Sequence, residues 1–153
     1  MTWRATSRSR EEISAAAVAQ VKYYKQRCGI PAFLRAGSGR IFVPAGIVGA
    51  IVAPAAQAAT LVRRLPLVVP AIIDRGLGRR TTWTLLTAPV PGHLRRSALT
   101  REILDRCGAG LVDEGDEIAL PSPADPALRW HGGTPTDHYR PSPVSIISAM
   151  RGR

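Results

Sequence analysis

Leu67-Val68-Val69-Pro70-Ala71-Ile72-Ile73-Asp74-Arg75-Gly76-Leu77-Gly78-Arg79-Arg80-Thr81-Thr82-Trp83-Thr84-Leu85-Leu86 is the stretch on which the fold turns. Leu67–Asp74 is apolar and β-branched, the composition of a strand, and Thr81–Leu86 reads as its partner. Glycine and arginine dominate the connection between them, Arg75 to Arg80. Thr81, Trp83 and Leu85 alternate with Thr82, Thr84 and Leu86, so neither side of the second strand is wholly polar. That pattern calls for a sheet with at least one covered face.

Upstream of this pair, Pro54 suits the first turn of a helix reaching Leu65, with Ala58, Leu61, Val62 and Leu65 on one face and Pro66 as its stop. Before it, Arg40–Val43 and Ile47–Ala53 read as two short strands around a Pro44-Ala45-Gly46 turn. The first helix has Ser9 as cap, Glu12 three residues on, and Lys22, Lys25 and Arg27 near its end. Ile13, Ala17, Val21, Tyr24 and Cys28 form its apolar stripe, and Gly29 closes it. Residues 1–8 read as a mobile basic arm.

Downstream, Pro89–Gly92 reads as a loop and Ser97–Cys107 as a helix burying Leu99, Ile103, Leu104 and Cys107. A third strand pair follows, Gly110–Val112 and Glu117–Leu120, turned at Asp113-Glu114-Gly115-Asp116. Prolines at 121, 123, 126, 135, 141 and 143 make residues 121–143 an extended segment lying over the domain. Ser142 and Pro143 then start a terminal helix with Val144, Ile147 and Met150 inward. Arg27-Cys28-Gly29 and Arg106-Cys107-Gly108 end helices alike, which hints at a repeated helix–strand–strand unit; a generic helix ending accounts for both. The expectation is one α/β (α+β) domain over residues 9–153. It has a mixed, largely antiparallel sheet of about six short strands and three to four packed helices.

At 153 residues the chain suits one domain, and 45% hydrophobic residues suffice for a core. A net charge of +10 predicts attraction to nucleic acid, an acidic protein or an anionic surface. A GC-rich genome gives the same arginine bias without such a partner. Two cysteines with no CxxC exclude a cysteine-built zinc site and argue for a cytoplasmic protein with buried thiols. No signal peptide is visible. The uncharged run Ile41–Val62 holds too many proline, glycine and glutamine residues for a lipid-facing helix, so no membrane partner is expected.

No catalytic constellation stands out, and no cofactor is expected. The acidic cluster Asp113–Glu117 reads as a turn, and Asp74 as a strand-ending turn residue or a salt-bridge partner. His93, His131 and His138 lie near no nucleophile in a known motif. Gly76-Leu77-Gly78 lacks the third glycine of a dinucleotide fingerprint. The candidate binding residues are therefore arginines: Arg63-Arg64, Arg75 with Arg79-Arg80, and Arg95-Arg96. On the connecting loop, glycine N–H groups would approach the same phosphates as Arg79 and Arg80. Trp130, beside Arg129 and His131, would stack on a base or anchor the proline segment to the core.

Pro70–Asp74, Thr82-Trp83-Thr84-Leu85-Leu86-Thr87-Ala88-Pro89, Glu117–Pro123, Leu128-Arg129-Trp130-His131 and the Cys28-Gly29-Ile30-Pro31 turn together resemble the N-terminal domain of bacterial bifunctional DNA primase/polymerases. The likeness is to short stand-alone members and spans about residues 13–150. It implies a fold of the archaeo-eukaryotic primase type, with nucleotides, a divalent metal and a nucleic-acid template. The family's acidic pair and histidine have no counterpart: Asp74 lacks a partner carboxylate and no histidine follows on the next strand. No catalytic residue carries over, and the resemblance implies a degenerate, inactive member that binds DNA or RNA. A protein-interaction module with a basic face, and an enzyme whose site assembles only on folding, are the alternatives.

Overall fold

In a computed structural model of the chain, residues 2–76 and 78–152 are described, with side chains from residue 12 onward. They form five helices and eight strands. In chain order these are α1 (Thr2–Cys28), β1 (Phe33–Leu34), β2 (Ile41–Pro44), β3 (Gly49–Pro54), α2 (Ala55–Arg64), β4 (Ala71–Asp74) and β5 (Thr82–Thr87). Then come α3 (Gly92–Arg96), α4 (Ala98–Arg106), β6 (Gly110–Leu111), β7 (Glu117–Leu120), β8 (Leu128–Trp130) and α5 (Pro143–Arg151). The α+β class and the antiparallel pairing are as expected. There are, however, two sheets: one of order β1-β2-β7, the other β6-β3-β5-β4-β8.

Strand alternation sorts the core into two layers. On one face of the five-stranded sheet, Ile51, Ala53, Ala71, Ile73, Trp83 and Leu85 pack against Ala58 and Leu61 of α2, Ile103 and Leu104 of α4, and Ile146, Ile147 and Met150 of α5. On the other face, Ala50, Ile72 and Leu86 meet Tyr24 and Cys28 of α1 and Val43, Ile118 and Leu120 of the smaller sheet. Covering on both faces explains why β5 shows no clean polar side.

β4 and β5 pair as expected, Ala71 opposite Leu85 and Asp74 opposite Thr82. β4 starts at Ala71 rather than Leu67, because Pro70 has no N–H to give and contributes only its carbonyl, to Leu86 N–H at 2.9 Å.

The other two strand pairs differ from the sequence reading. β2 and β3 do not pair with each other, nor do β6 and β7. β2 pairs with β7, and β3 with β6. The turns between them are therefore matched corners where two bent strands pass from one sheet to the other. Ala45 N–H donates to Asp116 O at 2.8 Å, and Gly115 N–H to Ala45 O at 3.0 Å. Asp113–Asp116 is thus a turn, but at a sheet corner.

Further differences concern edges. α1 is already helical at Thr2, so the stretch read as an arm continues the helix and Ser9 is not at its start; Ser9's side chain and Met1 lie outside the described residues. The proline-rich segment contributes β8, which pairs with β4 at the sheet edge. Three residues between prolines 126 and 135 suffice there, since an edge strand needs only one partner. The stretch read as a Pro89–Gly92 loop ends at Pro91, and Gly92 opens the short helix α3. Ile13, Leu99 and Val144, expected inward, are exposed, while Thr100 and Ile146 take the buried positions.

Candidate functional site

Register fixes which loops share an end of the five-stranded sheet. Pro54 and Asp74 both lie opposite Thr82 on neighbouring strands, and Leu128 lies opposite Asp74. With strands about 4.8 Å apart, Pro54 and Asp74 flank Thr82 within about 10 Å of each other. The β4–β5 loop therefore leaves the sheet beside the start of α2, and Ala55 N–H donates to Thr81 O at 3.1 Å. This loop carries Arg75, Arg79 and Arg80, all exposed.

Two helices bring further arginines to the same end. α4 finishes there: a Cβ added to Gly108 would stand 3.3 Å from Pro54 Cγ. α5 begins at the opposite end, where Ala88 N–H donates to Pro141 O at 2.8 Å, and runs back towards α2. Arg106 and Arg151, both exposed, close α4 and α5 and border one cavity with Gln57 of the first turn of α2. Residues separated by up to 76 positions, Arg75 to Arg151, are thereby gathered. Among the described residues the carboxylates nearest by register and chain position are Asp74, Glu102, Asp105 and Asp125, and Glu102 and Asp105 share a cavity with Arg106. Asp74 Oδ1 accepts Gly76 N–H at 2.9 Å, and Asp125 lies 4.0 Å from Arg40.

The loop is shaped by Asp74. Its side chain caps the strand end, Gly76 adopts φ +36°, and the Arg79 side chain folds back over that glycine. A residue with a Cβ is strained at that φ, so the glycine is needed for the turn. The Gly76 N–H is consequently taken by Asp74 and is not offered to a phosphate.

The remaining arginine candidates lie elsewhere. A helix of ten residues spans about 15 Å, which carries Arg63 and Arg64 to the opposite end of the sheet. Arg95 and Arg96 are at that opposite end too. Arg95 Nη1 donates to Val112 O at 2.8 Å, tying α3 to the end of β6, and Arg96 lies over Gly92. The pairs do not share one face.

Trp130 borders a cavity of about 350 Å³ with Arg129 and Gln20. Its indole N–H donates to the Tyr24 hydroxyl at 3.1 Å, and the two rings meet edge to face at 6.0 Å. His131 stacks instead with Trp83, ring centres 4.5 Å apart. Arg129, Trp130 and His131 therefore form no single platform.

The perturbed titratable groups mark a seam between α1 and the proline-rich segment. Tyr24 donates to Pro121 O at 2.6 Å, Cys28 Sγ to Pro135 O at 3.2 Å, and Arg140 Nη1 to Cys28 O at 2.8 Å. Burial pushes the Tyr24 phenol and the Cys28 thiol up and pulls the Arg140 guanidinium down. A thiol held in its neutral form is a poor nucleophile, so the seam is a fastening.

Asp74 lies at the arginine end, whereas the Asp113–Asp116 corner meets Ala45 at the other. Among the described residues no group of three or more His, Cys, Asp or Glu is placed to hold a metal ion. No described helix is long and apolar enough to cross a membrane. Sequence reading missed Arg106 and Arg151 as site residues. Each looked like an ordinary basic residue in a last helical turn, and their convergence depends on helix directions. Comparison with family models, curated proteins and solved structures finds no match to this chain.

Proposed function

We propose that this is a non-catalytic, primase/polymerase-like domain that binds nucleic acid with the arginine end of its five-stranded sheet. The observation that supports this reading is the convergence of Arg75, Arg79 and Arg80 with Arg106 and Arg151 at one end. Guanidinium groups on a loop and at two helix ends suit a phosphate backbone, which asks for positive charge and forked donors without base selection. The family part of the proposal rests on the sequence resemblance. The test is binding of short single- and double-stranded DNA and RNA across a salt series, with Arg79→Ala/Arg80→Ala beside the wild type. Phosphate contacts release counterions, so affinity must fall with salt and the slope must flatten in the variant.

The opposite end supports a second reading as a protein-interaction module. Ile47 and Val68 stand 64% and 77% exposed there, with Leu99 and Val144 also exposed at the starts of α4 and α5. A stoichiometric protein partner retained after nuclease treatment, and lost on Ile47→Ser/Val68→Ser, would favour it.

A further inference from the structure

Gln57, Ile103, Arg106, Cys107, Met150 and Arg151 line a half-open cavity of about 310 Å³. That is near the lower bound of small-ligand sites. Ile103 and Met150 are buried and supply an apolar floor. Its remaining lining includes the exposed Arg106 and Arg151, from two helices, and Gln57. Among the described residues no carboxylate side chain borders this cavity. Asp105 and Glu102 border a second cavity on the flank of α4 that Arg106 also lines, so Arg106 stands between those carboxylates and Arg151. An anion that bridges two guanidinium groups gains attraction from both. A planar guanidinium fork matches the oxygens of a phosphoryl group in geometry as well as charge.

We propose that this cavity binds a single phosphoryl group, held by Arg106 and Arg151 with Gln57 as a neutral donor. The site lies at the same end as the β4–β5 loop but does not depend on the nucleic-acid reading. A terminal phosphate of a nucleic acid and a small phosphorylated molecule present the same chemistry to it.

The experiment titrates inorganic phosphate into the full chain at constant ionic strength, following the backbone amide resonances of Gln57 and Cys107. Saturable shifts at these positions are expected. Arg106→Gln/Arg151→Gln should weaken the apparent affinity about tenfold or more, which is 1.4 kcal/mol or more. Arg63→Ala/Arg64→Ala, at the far end of α2, should leave it unchanged. Both replaced arginines are exposed, and an unchanged far-ultraviolet circular dichroism spectrum certifies the fold of the variant. Shifts that never saturate, or that survive the double glutamine substitution, would overturn the proposal.

A second arm compares 5′-phosphorylated with 5′-hydroxyl oligonucleotides. Tighter binding of the phosphorylated strand, lost in the glutamine variant, assigns the site to a nucleic-acid end. Equal binding of both strands beside saturable phosphate assigns it to a small phosphorylated ligand. A flat salt response with intact phosphate saturation would sink the nucleic-acid reading alone.

Discussion

Replacing Arg79 and Arg80 by alanine removes two of the five guanidinium groups that the described residues gather at the arginine end. Their worth can be worked out from counterion release. Each phosphate neutralised on duplex DNA contributes about −0.9 to the slope of log affinity against log salt. Five contacts give a slope of about −4.5, so raising salt from 50 to 200 mM weakens binding by about 500-fold. Three contacts give about −2.7 and a loss of about 40-fold over the same range. Fluorescence anisotropy of a labelled duplex, read at four or five salt concentrations, separates these slopes readily. Arg63→Ala/Arg64→Ala removes the same charge from the opposite end of the sheet and should leave the slope at the wild-type value. Equal flattening in both variants would refute the reasoning, because the effect would then follow net charge and not position. A wild-type slope near zero would refute the binding mode altogether.

Other perturbations test the fold. Tyr24→Phe deletes the hydroxyl that donates to Pro121 O and accepts from Trp130 Nε1, leaving the buried Pro121 carbonyl unpartnered and the half-buried indole without its acceptor; a loss of about 1–3 kcal/mol is expected in urea unfolding. Gly49→Ala places a Cβ 2.7 Å from Ala88 O and 2.8 Å from Val90 Cγ2, and overpacking of this kind should cost about 1–3 kcal/mol, read as a lower urea midpoint with unchanged m. The Cys28 thiol and Tyr24 phenol titrate higher in the folded chain than their ordinary values. The folded state therefore holds their protons more firmly, so their contribution is complete at neutral pH. It declines as pH rises past about 8.5 and then about 10. Urea midpoints measured from pH 7 to 10.5 should fall in that window, and Cys28→Ser should remove the earlier part of the decline.

Most elements were legible in the sequence because their signals are local. The β4–β5 pair announced itself through β-branched runs around a glycine-rich connection. α2 was bounded by Pro54 and Pro66, α4 by Ser97, whose hydroxyl accepts Thr100 N–H at 3.2 Å, and α5 by Ser142 and Pro143. β8 was not legible: three residues in a proline-rich stretch carry no periodicity, and only the free edge of β4 makes them a strand. Asp74 was read correctly as a strand-ending turn residue, since an Asx contact two residues along the chain is itself local.

What the sequence could not supply was partnership. Pro44–Gly46 and Asp113–Asp116 have the residues of turns, and turns usually join strands that pair. Here each turn is a corner, because both faces of the β3–β5 layer must be covered and the second cover is a separate small sheet. That choice is made by burial over the whole domain. The same holds for the arginines. Sequence alone determined a strongly basic α+β domain and located its arginine pairs. Only the tertiary structure parted Arg63-Arg64 and Arg95-Arg96 from Arg79-Arg80 and joined the latter to Arg75, Arg106 and Arg151. A side chain's place at one end of a sheet depends on strand direction and helix return, and these are fixed by contacts far apart along the chain.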